Sequence, residues 1–265
     1  MSPDLPSTIS RWRLLLLAAI PIASVAYQLT QPADPGDPCY HHFADPRPFF
    51  GIPNFADVIS NLPFVLVGIA GIFAWRVKLP RGAPLSWLAF FIGVASVGLG
   101  SAYYHWAPDD ATLVWDRIPM TIGFMALTVA ILAECIDARL DRVLLLPALA
   151  VGVASVVYWY YAHDLRFYYW VQSLPNLFIP AAIILLPKRY SHYWLVFVAI
   201  VFYIGAKLTE HYDKAVFAAL GDTVSGHTIK HLSAAAGCCV LLVMFCKRRL
   251  ISPADVDTDS SLPRA

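Results

Sequence analysis

The sequence predicts an all-α, polytopic membrane protein, and three observations carry that reading. Of the 265 residues, 58% are hydrophobic and only 14% charged, with a mean hydropathy of +0.60; a soluble domain carries about a quarter charged residues. Crossing a bilayer takes about 20 mostly apolar residues. Eight stretches meet that need, near 13–30, 55–75, 85–106, 113–134, 143–162, 168–186, 193–212 and 228–246. The third observation is how the charges fall between them. With the N-terminus in the cytoplasm and the spans alternating, one side collects Arg11 and Arg13; Arg76, Lys78 and Arg81; Arg139 and Arg142; Lys188 and Arg189; and Lys247, Arg248 and Arg249. The other receives Asp34, Asp37 and Asp45; Asp109 and Asp110; Asp164; and Glu210, Asp213 and Asp222. Basic residues mark the cytoplasmic side, so both termini are placed inside and the number of spans is even.

In chain order, the first span (Leu14 to Tyr27, behind Arg11 and Arg13) has the flanks of a signal peptide. No convincing small-x-small cleavage site precedes the polar stretch after it, so a retained helix is expected. The second span opens on "FADVISNLPF", and the third and fourth flank "GSAYYHWAPDDATLVWDRIPM". "VVYWYYAHDLRFYYW" reads as an interfacial aromatic belt around the turn between the fifth and sixth. Pro175, Asn176 and Pro180 interrupt the sixth span; such breaks line cavities at membrane depth or simply kink a helix. Near the end of the seventh, Lys207 and Glu210 stand three apart and can pair, and Glu210 to Asp213 form an interfacial collar or line an entrance. The eighth begins "SGHTIKHLSAAAG". Three regions follow: an N-terminal helix and outer loop over 1–54, a membrane domain over 55–246, and a basic, disordered cytoplasmic tail over 247–265. Short loops without an organelle address suit a bacterial inner membrane.

A net charge of +1 gives no bulk attraction for nucleic acid. The five cysteines include no CxxC pair. That excludes a disulfide scaffold and a cysteine-ligated zinc ribbon, and leaves small buried hydrophobes.

Topology decides which polar groups can meet. His105 closes the third span on the outer side, Asp116 opens the fourth there, and the eighth starts there with His227 and His231. The two C-terminal histidines are four apart and share a helical face, as do Ser101 and His105. Read singly, each has a plain explanation. A helical histidine packs; a membrane serine bonds back to its own carbonyls; Asp116, just ahead of Ile118 and Pro119, caps a helix. Arg117 points off at another angle, toward headgroups or Asp110. Ionisable groups gathered at one membrane depth, however, are usually functional. Three histidines with one open position suit a catalytic zinc, which lowers the pKa of bound water from 15.7 to about 7. A carboxylate beside that water can shuttle its proton, and a nearby hydroxyl can donate to an oxyanion. That set suffices to hydrolyse an amide or an ester.

At these residues the sequence resembles the alkaline ceramidase family, part of a superfamily of seven-helix membrane hydrolases that includes adiponectin-receptor-like and GPI-remodelling proteins. The matching elements are Ser101-x-x-x-His105, Asp116 eleven residues further on, and His227-x-x-x-His231, with Asp57, Ser60 and Asn61 resembling the family's first-helix motif. The likeness spans roughly residues 55 to 246. It implies a seven-helix hydrolase core with an extra N-terminal transmembrane helix. It also implies zinc on His105, His227 and His231, Asp116 as proton shuttle and Ser101 near the oxyanion. Characterised ceramidases of the family carry an acidic, tryptophan-containing segment that contributes to a calcium site. Here the corresponding "DPCYHHFADPRPFFGIPNFAD" keeps only Asp57 as a plausible ligand, with Asp45 and Asn54 able to add the oxygens calcium takes. His41 and His42 read as solvated or interfacial. The resemblance implies cleavage of a ceramide-like membrane lipid to a sphingoid base and a fatty acid. Two alternatives stay open: a lipid esterase of the same superfamily, and a receptor-like or transport protein with a structural metal. Oligomeric state is not legible.

Overall fold

The computed structural model describes residues 9–251, and no strand occurs among them. The part of the basic tail beyond 251 lies outside the described residues. The protein is an all-α, multi-pass membrane protein. Its helices are α1 (Arg11–Thr30), α2 (Phe55–Ile59), α3 (Leu62–Lys78), α4 (Leu85–Trp106), α5 (Asp110–Cys135), α6 (Leu140–Ala162), α7 (Arg166–Leu185), α8 (Trp194–His211), α9 (Asp213–Ala219) and α10 (Gly226–Lys247). Among the described residues seven segments are long and apolar enough to cross a membrane: α1, α2 with α3, α4, α5, α6, α8 and α10. The sixth expected span, α7, is 20 residues long but diluted by Gln172, Asn176 and two prolines.

Successive long helices run in opposite directions, so the end of α4 and the starts of α5 and α10 lie together at what we call the site end. The central helix is α5, whose buried side chains run from Thr112 to Cys135. By contrast α1 rests chiefly on α7, tied by Trp170 Nε1 donating to Ser24 Oγ at 2.9 Å, and exposes Leu15, Ile22 and Leu29. Those leucine and isoleucine faces match lipid, where no hydrophobic penalty attaches to them.

Two differences from the sequence expectation bear on the site. The single second span is broken into α2 and α3 at Ser60–Asn61. Pro63 causes the break: it has no N–H to donate and sits best in the first turn of a new helix. The fourth span begins at Asp110, and Asp109 is its N-cap, accepting from Thr112 N at 2.6 Å in a capping box. Asp109 is thus the cap, and Asp116, which read singly looks like one, lies nearly two turns inside the helix.

Glycine sets the two approaches that position the site. A Cβ on Gly100 would lie 2.0 Å from the carbonyl oxygen of Trp115, so α4 and α5 touch backbone to backbone beside Ser101 and Asp116. A Cβ on Gly226 would lie 2.2 Å from Thr209 O, which seats the start of α10 against the end of α8. Small residues of this kind let membrane helices meet closely.

Candidate active site

Three imidazoles converge at the site end. His105 comes from the last turn of α4, and His227 and His231 from the first turns of α10. All are buried, their ring centroids stand 4.7 to 4.8 Å apart, and one ligand nitrogen from each lies within 4.8 Å of the others. Asp116 on α5 and Ser101 on α4 are buried beside them, and the Ser101 hydroxyl lies near the Asp116 carboxylate. The five residues singled out from spacing alone are thus brought together.

The helix break places the groups that orient His231. Ser60 Oγ donates to Asp57 O at 3.0 Å and so spends its one proton. Its 2.8 Å contact with His231 Nδ1 must then be donated by the imidazole, leaving the lone pair on Nε2. Asn61 Nδ2 stands 3.4 Å from the same Nδ1, at the edge of hydrogen bonding, and gives its better bond to Asp57 O at 2.8 Å. The Nε2 atom of His231 is buried without a hydrogen-bond partner. The Asp57 carboxylate faces the other way, its Oδ1 bonded by the hydroxyls of Thr228 (2.6 Å) and Ser225 (3.1 Å).

A roof comes from the loop between α1 and α2. Phe43 covers the imidazoles, its ring centroid 4.5 Å from that of His105 and 5.1 Å from that of His227. Asp213 fastens this roof, accepting from Ala44 N at 3.0 Å and from His227 N at 2.8 Å. His41, read as solvated or interfacial, is partly exposed and contacts Tyr104 OH at 3.0 Å and Asp110 at 3.4 Å. Below the site a cavity of about 160 Å³ opens between α4, α5, α7, α8 and α10. Val97, Met120 and Ala234 line it. They lie four before Ser101, four after Asp116 and three after His231, one helical turn deeper on three helices. Pro175 and Asn176 line it too, which accounts for the interrupted sixth span.

Residues 51–257 match the family model described as Ceramidase. The chain belongs to the ceramidase family. Searches of curated proteins and of solved structures returned no match. Membership of the ceramidase family supports a membrane hydrolase of ceramide.

Whether the triad of this ceramidase-family chain fits a metal is answered by its nitrogens. The Nε2 atoms of His105 and His227 stand 3.2 Å apart, and two nitrogens on one tetrahedral zinc, each at about 2.0–2.1 Å, stand roughly 3.3 Å apart. With the unpartnered Nε2 of His231 and its Ser60 orienter, the donor set suits a borderline metal with one position left open. The three oxygen residues considered for calcium are engaged separately. Asp45 is held in two bonds by Arg47 (2.6 and 2.7 Å), which keeps its carboxyl below the usual range. Asn54 spends its amide on His105 O at 2.8 Å, and Asp57 spends one oxygen on hydroxyls.

Arg117 departs from its expected place, and Glu210 and Lys230 make contacts that spacing alone does not show. Arg117 reaches neither headgroups nor Asp110: it is 5% exposed, with Trp159, Tyr168 and Tyr40 rings 4.0, 4.8 and 5.4 Å from its guanidinium carbon. A planar, weakly hydrated guanidinium is suited to such stacking. Glu210 pairs with Lys207 as their spacing suggests, and, largely shielded, takes Lys230 as well, each at 2.5 Å. Lys230 went unremarked in the sequence, although a lysine between two candidate ligands inside an apolar span was itself a signal.

Proposed function

We propose that the chain hydrolyses the amide bond of a ceramide-like lipid at the His105, His227, His231 centre, giving a sphingoid base and a free fatty acid. One observation carries the reading: three buried imidazoles converge beside a buried carboxylate and hydroxyl, one turn above an apolar cavity. Zinc bound by the three imidazoles would polarise the scissile carbonyl and acidify a water.

The chain's own residues supply the rest. A lipid chain lies in the cavity, which brings its amide up to the imidazoles. Asp116 takes a proton as water adds to the carbonyl carbon, and delivers it to nitrogen as the C–N bond breaks. Ser101 works with it. Once protonated, Asp116 donates to the neighbouring Ser101 Oγ and leaves that hydroxyl's own proton for the oxyanion. Phe43 and the apolar walls limit water near the reacting groups, which strengthens each of these contacts. The division of basic and acidic loops supports both termini in the cytoplasm and the site toward the opposite face.

The test is metal analysis of purified protein coupled to fatty-acid release from a panel of N-acyl and O-acyl lipids. Release from N-acyl sphingoid lipids by zinc-bearing protein is expected. Turnover confined to O-acyl lipids would move the reading to an esterase. A metal with no turnover of either would move it to a structural site.

A further inference from the structure

Lys230 is the one cation that touches the histidine centre among the described residues. Its Nζ stands 3.3 Å from His227 Nε2 and 2.5 Å from Glu210 Oε1, and its side chain is 16% exposed. An ammonium only donates, so Nε2 of His227 is the acceptor and carries its lone pair toward the site. That is the atom a metal would take. Glu210 is shared: Lys207, 47% exposed, holds its other oxygen from the outer side. The cluster of two ammonium groups and one carboxylate therefore carries one net positive charge, with Lys230 its inward member.

Stability alone does not explain such a pair. A buried ion pair is often matched or bettered by apolar residues of the same volume, and apolar residues are plentiful in this bundle. Glu210 comes from α8 and Lys230 from α10, so the pair is built across two helices, at the depth of His227. An ammonium this near a divalent cation repels it unless a carboxylate neutralises it. And the N–H resting on the His227 lone pair is released whenever a metal uses that lone pair.

Building on the hydrolase reading above, we propose that Lys230, braced and neutralised by Glu210, donates a hydrogen bond from its ammonium to the carbonyl oxygen of the scissile amide. Lys230 keeps its proton throughout. Water adds to the carbonyl carbon and the carbonyl electron pair moves onto oxygen, where Lys230 and Ser101 receive it. The pair returns as the C–N bond breaks, and the proton reaching nitrogen comes from Asp116. Lys230 is on this reading a catalytic residue, and Glu210 a positioning one.

Zinc affinity, read without substrate by competition with a chromophoric chelator, separates this from a packing role. Lys230→Met should bind zinc about tenfold more tightly, because a competing cation is gone. Its kcat should nevertheless fall about a hundredfold, with KM changed little. Glu210→Gln should bind zinc about tenfold more weakly, and adding Lys230→Met to it should restore the affinity. Should Lys230→Met not accumulate, Lys230→Gln keeps a donor to Glu210 without the charge and gives the same two readings. A Lys230 variant with unchanged kcat, or one whose zinc affinity falls with its activity, overturns the proposal. Wild-type protein that neither binds zinc nor releases fatty acid would instead sink the hydrolase reading itself.

Discussion

The two ends of the helix bundle treat buried charge in opposite ways. At the far end, Glu134 on α5 accepts from Trp87 Nε1 at 2.6 Å and Tyr193 OH at 2.9 Å and pairs with Arg248, whose guanidinium stacks on Trp87, Tyr190 and Phe245. Both oxygens of Glu134 are used. At the site end His105 Nδ1, His231 Nε2, Asp57 Oδ2, Asn61 Oδ1 and Arg117 Nη1 are buried without a partner. Only Ser86 Oγ joins them from the far end among the described residues. An unsatisfied buried polar atom costs about 1–3 kcal/mol. Concentrating such atoms at one end, while the other end satisfies its ion pair, marks the first as built to receive something and the second as built to hold the helices.

This contrast gives predictions that separate loss of chemistry from loss of structure. The largest effect is expected for His231→Ala, which should abolish zinc retention and fatty-acid release together. Asp116→Asn should keep zinc and lose about 10²–10⁴-fold in kcat, the range for a general acid–base group; metal content and turnover measured on one sample decide it. Glu134→Ala leaves Arg248 buried and unpaired, which costs about 3–5 kcal/mol. Its melting temperature in detergent should fall sharply, while turnover per folded molecule stays near wild type. Loss of turnover in fully folded Glu134→Ala protein would erase the distinction between the ends. Gly100→Ala puts a methyl group onto a backbone carbonyl that cannot give way, at a cost of about 1–3 kcal/mol. It should lower both melting temperature and kcat, because the same approach sets Ser101 against Asp116.

The smallest effect concerns the anchorage of the roof. Arg166 hydrogen bonds hold the Asp164 carboxyl down to about 2, and the pair secures residues 31–34. An unfolded aspartate titrates near 3.9. A depressed carboxyl contributes stability that is complete above that value and lost as pH falls toward the folded one. Amide-exchange protection at Asp34 should therefore drop between about pH 4 and pH 2, and Asp164→Asn should be free of that step.

Much of this was legible in the sequence because it is periodic or topological. Apolar stretches of bilayer length gave the helices, and two i, i+4 pairs with Asp116 fell at one end as soon as the spans alternated. Contacts between a loop and a helix, or between distant helices, leave no such trace. Phe43 sits in a proline-rich loop whose path over His105 has no period to reveal it. The partners of Arg117 come from the loop, α6 and α7, and nothing in "WDRIPM" indicates an aromatic cage. Glu210 and Lys230 are 20 residues apart on neighbouring helices. Lys207, three residues away, was the visible partner and hid the inner one. The break at Ser60–Asn61 was encoded by Pro63, but its use, turning Ser60 onto His231, depends on where α10 packs.

The most direct test of a metal hydrolase at the site end is a titration. Protein freed of metal receives zinc stepwise while fatty-acid release from an N-acyl sphingoid lipid is followed. Release should rise in proportion to zinc and level off at one ion per chain. Release that is already complete in metal-free protein, and unchanged by added zinc, would contradict it.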